Sequence, residues 1–337
     1  MIEFKDTNHC ISCTSKRKKF VFKYSGFKSI VFKCFKCVDC DLLYSSPQPI
    51  INIDSLNEIY NGEYYKNYFG RDNDYTVEKS TTNEIINQRL SKEFKYFSSF
   101  LDQLDDNKKV LDIGCGDGRF LELFEKLDWN CFGIEPSKFV AKIASKRKIT
   151  ILQKSVLELS ESNKFDFIFL DNVIEHLDYP AKYLEKIYKL LNPSSVFVLK
   201  TPNSDGLVER TETFILSLLS EKFIDWLMKI LYEKLNIGSG KIHRYGNLHP
   251  PVHLSIFNKE SITKALIKAG FNENDLTVVS GSEYYHQWRV KRPSKKGFFN
   301  KILKFMKIAG DFIKKGEMLV VVAKKSSTID KKKRGLV

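Results

Sequence analysis

The run Val110-Leu111-Asp112-Ile113-Gly114-Cys115-Gly116-Asp117-Gly118-Arg119-Phe120 reads as a buried strand that turns into a helix through alternating glycines. Residues without a Cβ allow positive φ and close approach of a ligand, and the helix that follows aims free N–H groups at an anion or polar group. This is chemistry for holding a nucleotide-like cofactor. The next strand, Asn130-Cys131-Phe132-Gly133-Ile134-Glu135, ends in a carboxylate 21 residues after Gly114, where a ribose hydroxyl pair needs an acceptor. A dinucleotide fingerprint asks for Gly-x-Gly-x-x-Gly, but its last position falls on Arg119, so the spacing here is Gly-x-Gly-x-Gly.

Proton-transfer chemistry lies downstream. His176 comes just after an apolar strand, at the carboxyl edge where open α/β sheets bind ligands, and an unperturbed imidazole titrates close to neutrality. Glu175 beside it either orients the ring or favours the start of the next helix. His253 is a second candidate base, with His249, His243 and Tyr285-His286 as further candidates. Asp171 either faces the cofactor or only ends its strand. Metal chemistry belongs to the amino-terminal Cys10-Ile11-Ser12-Cys13 and Cys34-Phe35-Lys36-Cys37-Val38-Asp39-Cys40. Two Cys-x-x-Cys loops supply four soft ligands for tetrahedral Zn²⁺ and hold together a domain too small for its own core. Spacing alone accepts either Cys34 with Cys37 or Cys37 with Cys40 as the second loop.

These residues need a scaffold, and the hydrophobic pattern provides it. Strands are expected near 109–113, 130–135, 150–153, 166–171 and 196–201, with helices near 118–127, 138–147 and 179–191. Such alternation makes a doubly wound, mostly parallel α/β sheet. Late strands at 276–280 and 318–323 extend it to seven, and a last helix over Ser261 to Ala269 closes at Gly270. The reading divides the chain into a zinc module (1–50), a helical linker or cap (51–104), a core (105–325) and a basic tail (326–337). The core carries a helical insertion at 204–249 and a basic amphipathic helix within 290–316.

The glycine turn, Phe165-Asp166-Phe167-Ile168-Phe169-Leu170-Asp171-Asn172-Val173-Ile174-Glu175-His176-Leu177, and Leu190-Leu191-Asn192-Pro193-Ser194-Ser195-Val196-Phe197-Val198-Leu199-Lys200-Thr201-Pro202-Asn203 together resemble class I S-adenosylmethionine-dependent methyltransferases. Ser194-Ser195 stand where that family has Gly-Gly. His249-Pro250-Pro251-Val252-His253-Leu254-Ser255-Ile256-Phe257 is similar to the family's link into its last helix. The resemblance implies a Rossmann-like methyltransferase with S-adenosylmethionine held by Asp112, Gly114, Cys115, Gly116, Gly118, Glu135, Pro136, Ser155, Val156, Asp171 and Asn172. It implies His176 and His253 as bases, with Glu175. Cys37-Val38-Asp39-Cys40-Asp41-Leu42-Leu43-Tyr44-Ser45-Ser46-Pro47 resembles the end of four-cysteine modules fused to such enzymes, which favours Cys10, Cys13, Cys37 and Cys40 as zinc ligands, with Cys34 spare. Asp41 stands where that pattern has Gly, and Asp tolerates left-handed φ better than most residues. Ile59-Tyr60-Asn61-Gly62-Glu63-Tyr64-Tyr65 resembles the segment that precedes the core in these fusions, whose tyrosines either line the cofactor mouth or pack. Glu175-His176 with a distant histidine also resembles metal-dependent RNA methyltransferases, but Asn172 occupies the position of their first Glu and is a poor ligand for a hard cation.

The fused module and the insertion resemble those of methyltransferases in surface-polysaccharide and natural-product pathways. The resemblance therefore implies a sugar or lipid-linked glycan precursor as acceptor, methylated on a hydroxyl or carbon. RNA methylation, with the zinc module and basic segment as nucleic-acid contacts, is the alternative; a non-catalytic cofactor-binding scaffold is a third reading. The net charge of +14 is concentrated: residues 291–337 hold 15 Lys/Arg against 3 Asp/Glu. A local basic segment points to a membrane surface or a solvated tail rather than to a polyanion across the active site. On a helical wheel Phe298, Phe299, Ile302, Phe305, Met306, Ala309 and Phe312 share a face flanked by Lys301, Lys304 and Lys307, a face that either packs on its own domain or rests on an anionic membrane. No apolar run of transmembrane length or leader-like segment is visible, and cysteines clustered as metal ligands suit a reducing compartment. A cytoplasmic protein able to reach the inner face of the membrane is expected; oligomeric state is left open.

Overall fold

Strands buried on both faces must be apolar along nearly their whole length, because helices cover the sheet on either side. Phe165 through Leu170 and Val196 through Leu199 have that character. In the computed structural model, which describes residues 2–25, 27–61, 108–220, 222–223, 226, 248–281 and 298–326, they are central strands.

The chain begins with β1 (Phe4–Lys5), β2 (Lys18–Ser25), β3 (Val31–Cys37), β4 (Leu43–Ser46), β5 (Gln48–Pro49) and helix α1 (Ile53–Ile59). The core follows as β6 (Lys109–Ile113), α2 (Leu121–Glu125), β7 (Asn130–Ile134), α3 (Lys138–Ala144), β8 (Thr150–Leu152), β9 (Phe165–Asp171), α4 (Pro180–Leu190) and β10 (Leu191–Pro202). After helix α5 (Leu207–Leu218) come β11 (Ser255–Ile256), α6 (Lys259–Ala269), β12 (Leu276–Gly281), α7 (Phe298–Phe312) and β13 (Met318–Lys324).

The main sheet has seven strands in the order β12-β13-β10-β9-β6-β7-β8. Its β10-β9-β6-β7-β8 part is parallel, and β13 runs antiparallel to both β10 and β12. This is the doubly wound, mostly parallel sheet that the apolar pattern implies, with the Rossmann-like order that the family resemblance implies. Element ends differ in detail. Phe120 opens α2 only after a turn, so the first helix is shorter than its apolar spacing suggests. Strand β10 begins early, at Leu191, and carries a register shift between Leu191 and Val196. Ser194 within that irregularity has φ 63°, a left-handed conformation that costs a non-glycine residue about 1–2 kcal/mol.

Local chemistry sets the other boundaries. Pro180 starts α4, which buries Ala181, Leu184, Ile187 and Leu190 along one face. Asn258 caps α6: its side chain accepts from the Ser261 amide, while Ser261 Oγ accepts from the Asn258 amide. Gly270, at φ 115°, ends that helix.

The amino-terminal strands form a four-stranded sheet in the order β11-β4-β3-β2, so a strand from the far end of the chain completes the cysteine module. Ser255 and Ile256 pair with Tyr44 and Leu43. Side chains bury the same joint, because Cys10, Ile11, Leu42 and Tyr44 share one apolar cluster with Phe257, Ile262 and Leu266 of the core. His243, Tyr64, Tyr65, Tyr285, His286 and the basic tail lie outside the described residues.

Because the module and core are welded by both backbone and apolar contacts, they should unfold together. Tyr44 is fully buried, and Tyr44→Ala should cost about 3–5 kcal/mol, as for other large aromatic truncations. Urea denaturation followed by far-UV circular dichroism and by tryptophan fluorescence should show one coincident transition, shifted to lower urea.

Candidate active site

The glycine turn follows β6 at the carboxyl edge of the sheet. Gly114, Gly116 and Gly118 all have positive φ, at 76°, 54° and 76°. Their surroundings differ. A Cβ on Gly116 would meet nothing within 4 Å, one on Gly114 would collide with Val173, and one on Gly118 with Ile149. Gly116 therefore exposes bare backbone to open space, whereas Gly118 permits packing behind the turn. A cavity of about 740 Å³ opens there, lined among others by Asp112, Gly114, Cys115, Gly116, Glu135, Pro136, Ser155, Val156, Asp171 and Asn172. Gly118 is not on its wall. The volume accommodates a nucleoside-sized cofactor beside a small acceptor.

Glu135 ends β7 as a buried carboxylate. Its two oxygens accept hydrogen bonds from the amides of Gly116 (3.0 Å) and Ser137 (2.8 Å). Burial pushes its pKa up to about 7, against the pull of those two amides. Asp112 is held well above the usual carboxylate range by burial and by the charges of Asp171, Glu135 and Asp117. Asp171 meets Lys200 Nζ at 3.2 Å and accepts from Asn172 Nδ2 at 2.7 Å. The buried Lys200, which the sequence reading did not single out, carries no local signal beyond its place in an apolar strand. Asp117 is paired with Arg119. Acids crowded against one cavity wall favour a cationic guest, and a sulfonium with an ammonium group fits that requirement.

His176, Tyr60 and His253 also line the cavity. Nδ1 of His176 lies 2.9 Å from the Val252 carbonyl and 2.8 Å from the Tyr60 hydroxyl. A carbonyl only accepts, so Nδ1 carries the proton and Nε2 is left as the basic nitrogen. Burial lowers the His176 pKa to about 4, so the ring is neutral at physiological pH. His253 stacks edge-on at 4.5 Å between centroids, and His249 lies 4.1 Å beyond it. Glu175 does not reach the cavity wall; it is fully buried behind His176, with Oε1 4.0 Å from Nε2 and Oε2 accepting from Thr201 Oγ1 at 3.1 Å. Burial pushes its pKa up to about 8. Tyr60 enters through α1, whose Asn57 accepts from the Lys138 amide at 3.1 Å, while the Tyr60 carbonyl accepts from Ser137 Oγ at 2.7 Å.

The four thiols Cys10, Cys13, Cys37 and Cys40 come together as well. Cys10 Sγ lies 3.5 Å from Cys40 Sγ, and Cys13 Sγ lies 3.4 Å from Cys37 Sγ. Thiolates on a tetrahedral zinc, with Zn–S near 2.3 Å, sit ~3.8 Å apart, so a small expansion would admit the ion. Asp41 takes φ 65° just after the second loop. Cys34 is elsewhere, buried among Phe22, Tyr24 and Phe32, and desolvation raises its pKa.

A sequence profile described as a methyltransferase domain matches residues 83–275. The chain belongs to this methyltransferase family. The matched segment, with its glycine turn and seven-stranded sheet, is a class I S-adenosylmethionine-dependent methyltransferase domain. Similar curated proteins include the ubiquinone biosynthesis O-methyltransferases of Pelagibacter ubique (31% identical, 42% of this chain and 59% of that one) and of Rhodopseudomonas palustris strain TIE-1 (29% identical, 35% and 48%). The chain thus spans about half the length of the curated relatives it matches. Among solved structures, a SAM-dependent methyltransferase from Archaeoglobus fulgidus is 17% identical with TM-score 0.43 over 70% of this chain and 94% of that one. Phosphoethanolamine N-methyltransferase 2 of Haemonchus contortus is 17% identical with TM-score 0.47 over 85% and 63%.

The buried carboxyl of Glu175 makes stability depend on pH. Its folded pKa, about 8, is above the ordinary 4.5, so between these values the folded enzyme keeps a proton that the unfolded chain has released. Stability falls as pH rises through that window. Glu175→Gln should remove this part of the slope, matching the parent near about pH 5 and exceeding it by on the order of a few kcal/mol near about pH 8. Urea titrations across pH measure the difference.

Proposed function

We propose that this enzyme methylates a hydroxyl oxygen of a small molecule, with His176 as the general base. The observation that supports this most is the neutral, Nε2-basic imidazole of His176 on the same cavity wall system as the glycine turn. S-adenosylmethionine, once bound, supplies an electrophilic methyl group. Gly114, Cys115 and Gly116 would lie along it, and Asp112 and Asp171 would face its cationic centres. Glu135 would take ribose hydroxyls on the lone pairs its oxygens retain, with Pro136, Ser155, Val156 and Asn172 completing the site.

His176 Nε2 takes the hydroxyl proton, since its Nδ1 is committed to Val252. Glu175, when it ionises, stabilises the resulting imidazolium from 4.0 Å away. His253 packs against the His176 ring and keeps water from that side. A carbon acceptor is the variant in which no such base is required. A nucleic-acid acceptor is disfavoured by the wall's composition, where Asp112, Asp117, Glu135, Glu158, Asp171 and Asp178 stand against Arg119, Lys154 and Lys182.

For the acceptor we propose a sugar or lipid-linked glycan precursor. Tyr60 and Tyr183 line the cavity and are of the type that packs on a pyranose ring, while Asp178 and Lys182, also on its lining, can hydrogen-bond hydroxyls. The names of the relatives point to O-methylation, and make a phenol the competing acceptor. Labelled donor incubated with sugar nucleotides, glycolipids and catechols separates the two: label in a sugar ether supports the glycan, label in a phenyl ether replaces it. With the acceptor found, His176→Ala should lower kcat by about 10²–10⁴ while calorimetric affinity for S-adenosylhomocysteine stays unchanged. Undiminished turnover would move the proton transfer elsewhere.

The cysteine cluster is proposed as a structural zinc site, whose ion would stiffen the module that β11 completes. Elemental analysis should find one zinc per chain in Cys34→Ser, and none in Cys40→Ser, given that all four clustered thiols are needed for closed coordination. The opposite pattern would put Cys34 in the ligand set.

A further inference from the structure

Helices α5 and α7 turn their large apolar residues outward. On α5, Phe214 is 62% exposed and Leu218 69%, with Ile215 also exposed. On α7, Phe305 is 71% and Phe312 89% exposed, with Ile308 and Ile313 beside them. Phe223 and Trp226, just past α5, are exposed too. The two helices pack together where Gly310 lets the Leu207 side chain approach, since a Cβ there would lie 3.2 Å from Leu207 Cβ. Soluble monomers rarely leave so many large apolar groups together in water.

Charge identifies the occupant. Residues 291–337 carry 15 Lys/Arg against 3 Asp/Glu, nearly all of the chain's net +14. Arg210, Lys222 and Lys314 are exposed on or next to the two helices, against the exposed Asp311. A second copy would bring a second chain of net charge +14 against the first, which Coulomb repulsion opposes. Nucleic acid would take the lysines but has no use for Ile215, Leu218, Ile308 and Ile313. An anionic bilayer satisfies both sets, phosphates meeting the cations and the acyl boundary taking the apolar side chains. No helix among the described residues is long and apolar enough to cross a membrane, so the contact is peripheral.

We propose that the α5–α7 face docks on an anionic lipid surface, with Phe214, Leu218, Phe305 and Phe312 entering the headgroup region. The docked face lies beside the cavity. Helix α5 follows Pro202 and α7 precedes Met318, and both of those residues line the cavity. The amides of Leu207 and Val208 donate to the Lys315 carbonyl and to Glu317 Oε1, fixing the helix pair to that end of the sheet. The inference does not depend on the acceptor proposed above.

The test is co-sedimentation of the full chain with phosphatidylcholine vesicles, with and without phosphatidylglycerol, at low and high salt. The expected result is at least about tenfold tighter binding to the anionic vesicles, weakened by salt, since each lysine near such a surface contributes roughly fivefold. Phe305→Asp/Phe312→Asp and Phe214→Asp/Leu218→Asp should each lose that binding while keeping parental affinity for S-adenosylhomocysteine, because the changed residues are exposed and outside the cavity wall. Equal binding to both vesicle types, no binding to either, or undiminished binding by both variants would overturn the proposal. So would light scattering that shows a dimer dissociated by these substitutions, which would assign the face to a second copy of the chain.

Discussion

The backbone of Leu254 ties the three working parts of this enzyme together. Its amide donates to the Glu175 carbonyl at 2.7 Å, and its carbonyl accepts from the Ser45 amide at 3.0 Å. One residue thus bridges the turn that carries His176 and the sheet that carries the cysteines. Neighbours strengthen the bridge: Ser255–Ile256 pair with β4, Tyr24 donates to the Leu248 carbonyl, and Asn258 donates to Asp41. Buried peptide groups must find partners, and along this link they find them alternately in the core and in the module. The placement of His253 beside His176 follows from those bonds, so the cysteine module acts on the site through backbone geometry, without touching the cavity.

Electrostatics divides the cavity into two halves. Asp112, Glu135 and Asp171 crowd one wall, and burial holds the first two carboxyls above their ordinary pKa. A cationic cofactor relieves that repulsion, so binding and charge are coupled. The other half works in the reverse sense: burial makes His176 a neutral imidazole and Glu175 a neutral acid. Both groups are therefore uncharged near neutrality, and the Nε2 lone pair of His176 remains available to accept a proton.

The two outward helices stand apart from this economy of buried charge. Amphipathic spacing in α7 is equally consistent with packing inward or facing outward. The structure shows Phe305 and Phe312 in water together with Ile308, which lies off the expected face, while Met306 and Ala309 of that face are partly covered, so only part of the face that the spacing suggests points outward.

The sequence by itself determined what depends on short range. Alternating glycines specified a positive-φ turn, Gly270 marked the end of a helix, and continuous apolar runs specified strands buried on both faces. In each case the physical cause lies within a few residues. Only the tertiary structure decided which distant groups meet. Spacing left Cys34 and Cys40 as rivals, and burial of Cys34 among aromatic rings separated them, the paired Cys13 and Cys37 being 24 positions apart in the chain. Tyr60 meets His176 across 116 residues, and Lys200 finds Asp171 only because β9 and β10 align in parallel. Gly118 has the same local conformation as Gly116, yet Ile149 packs against it while Gly116 faces open cavity. Such distinctions arise from the register of strands and the closure of long loops, which no local pattern encodes.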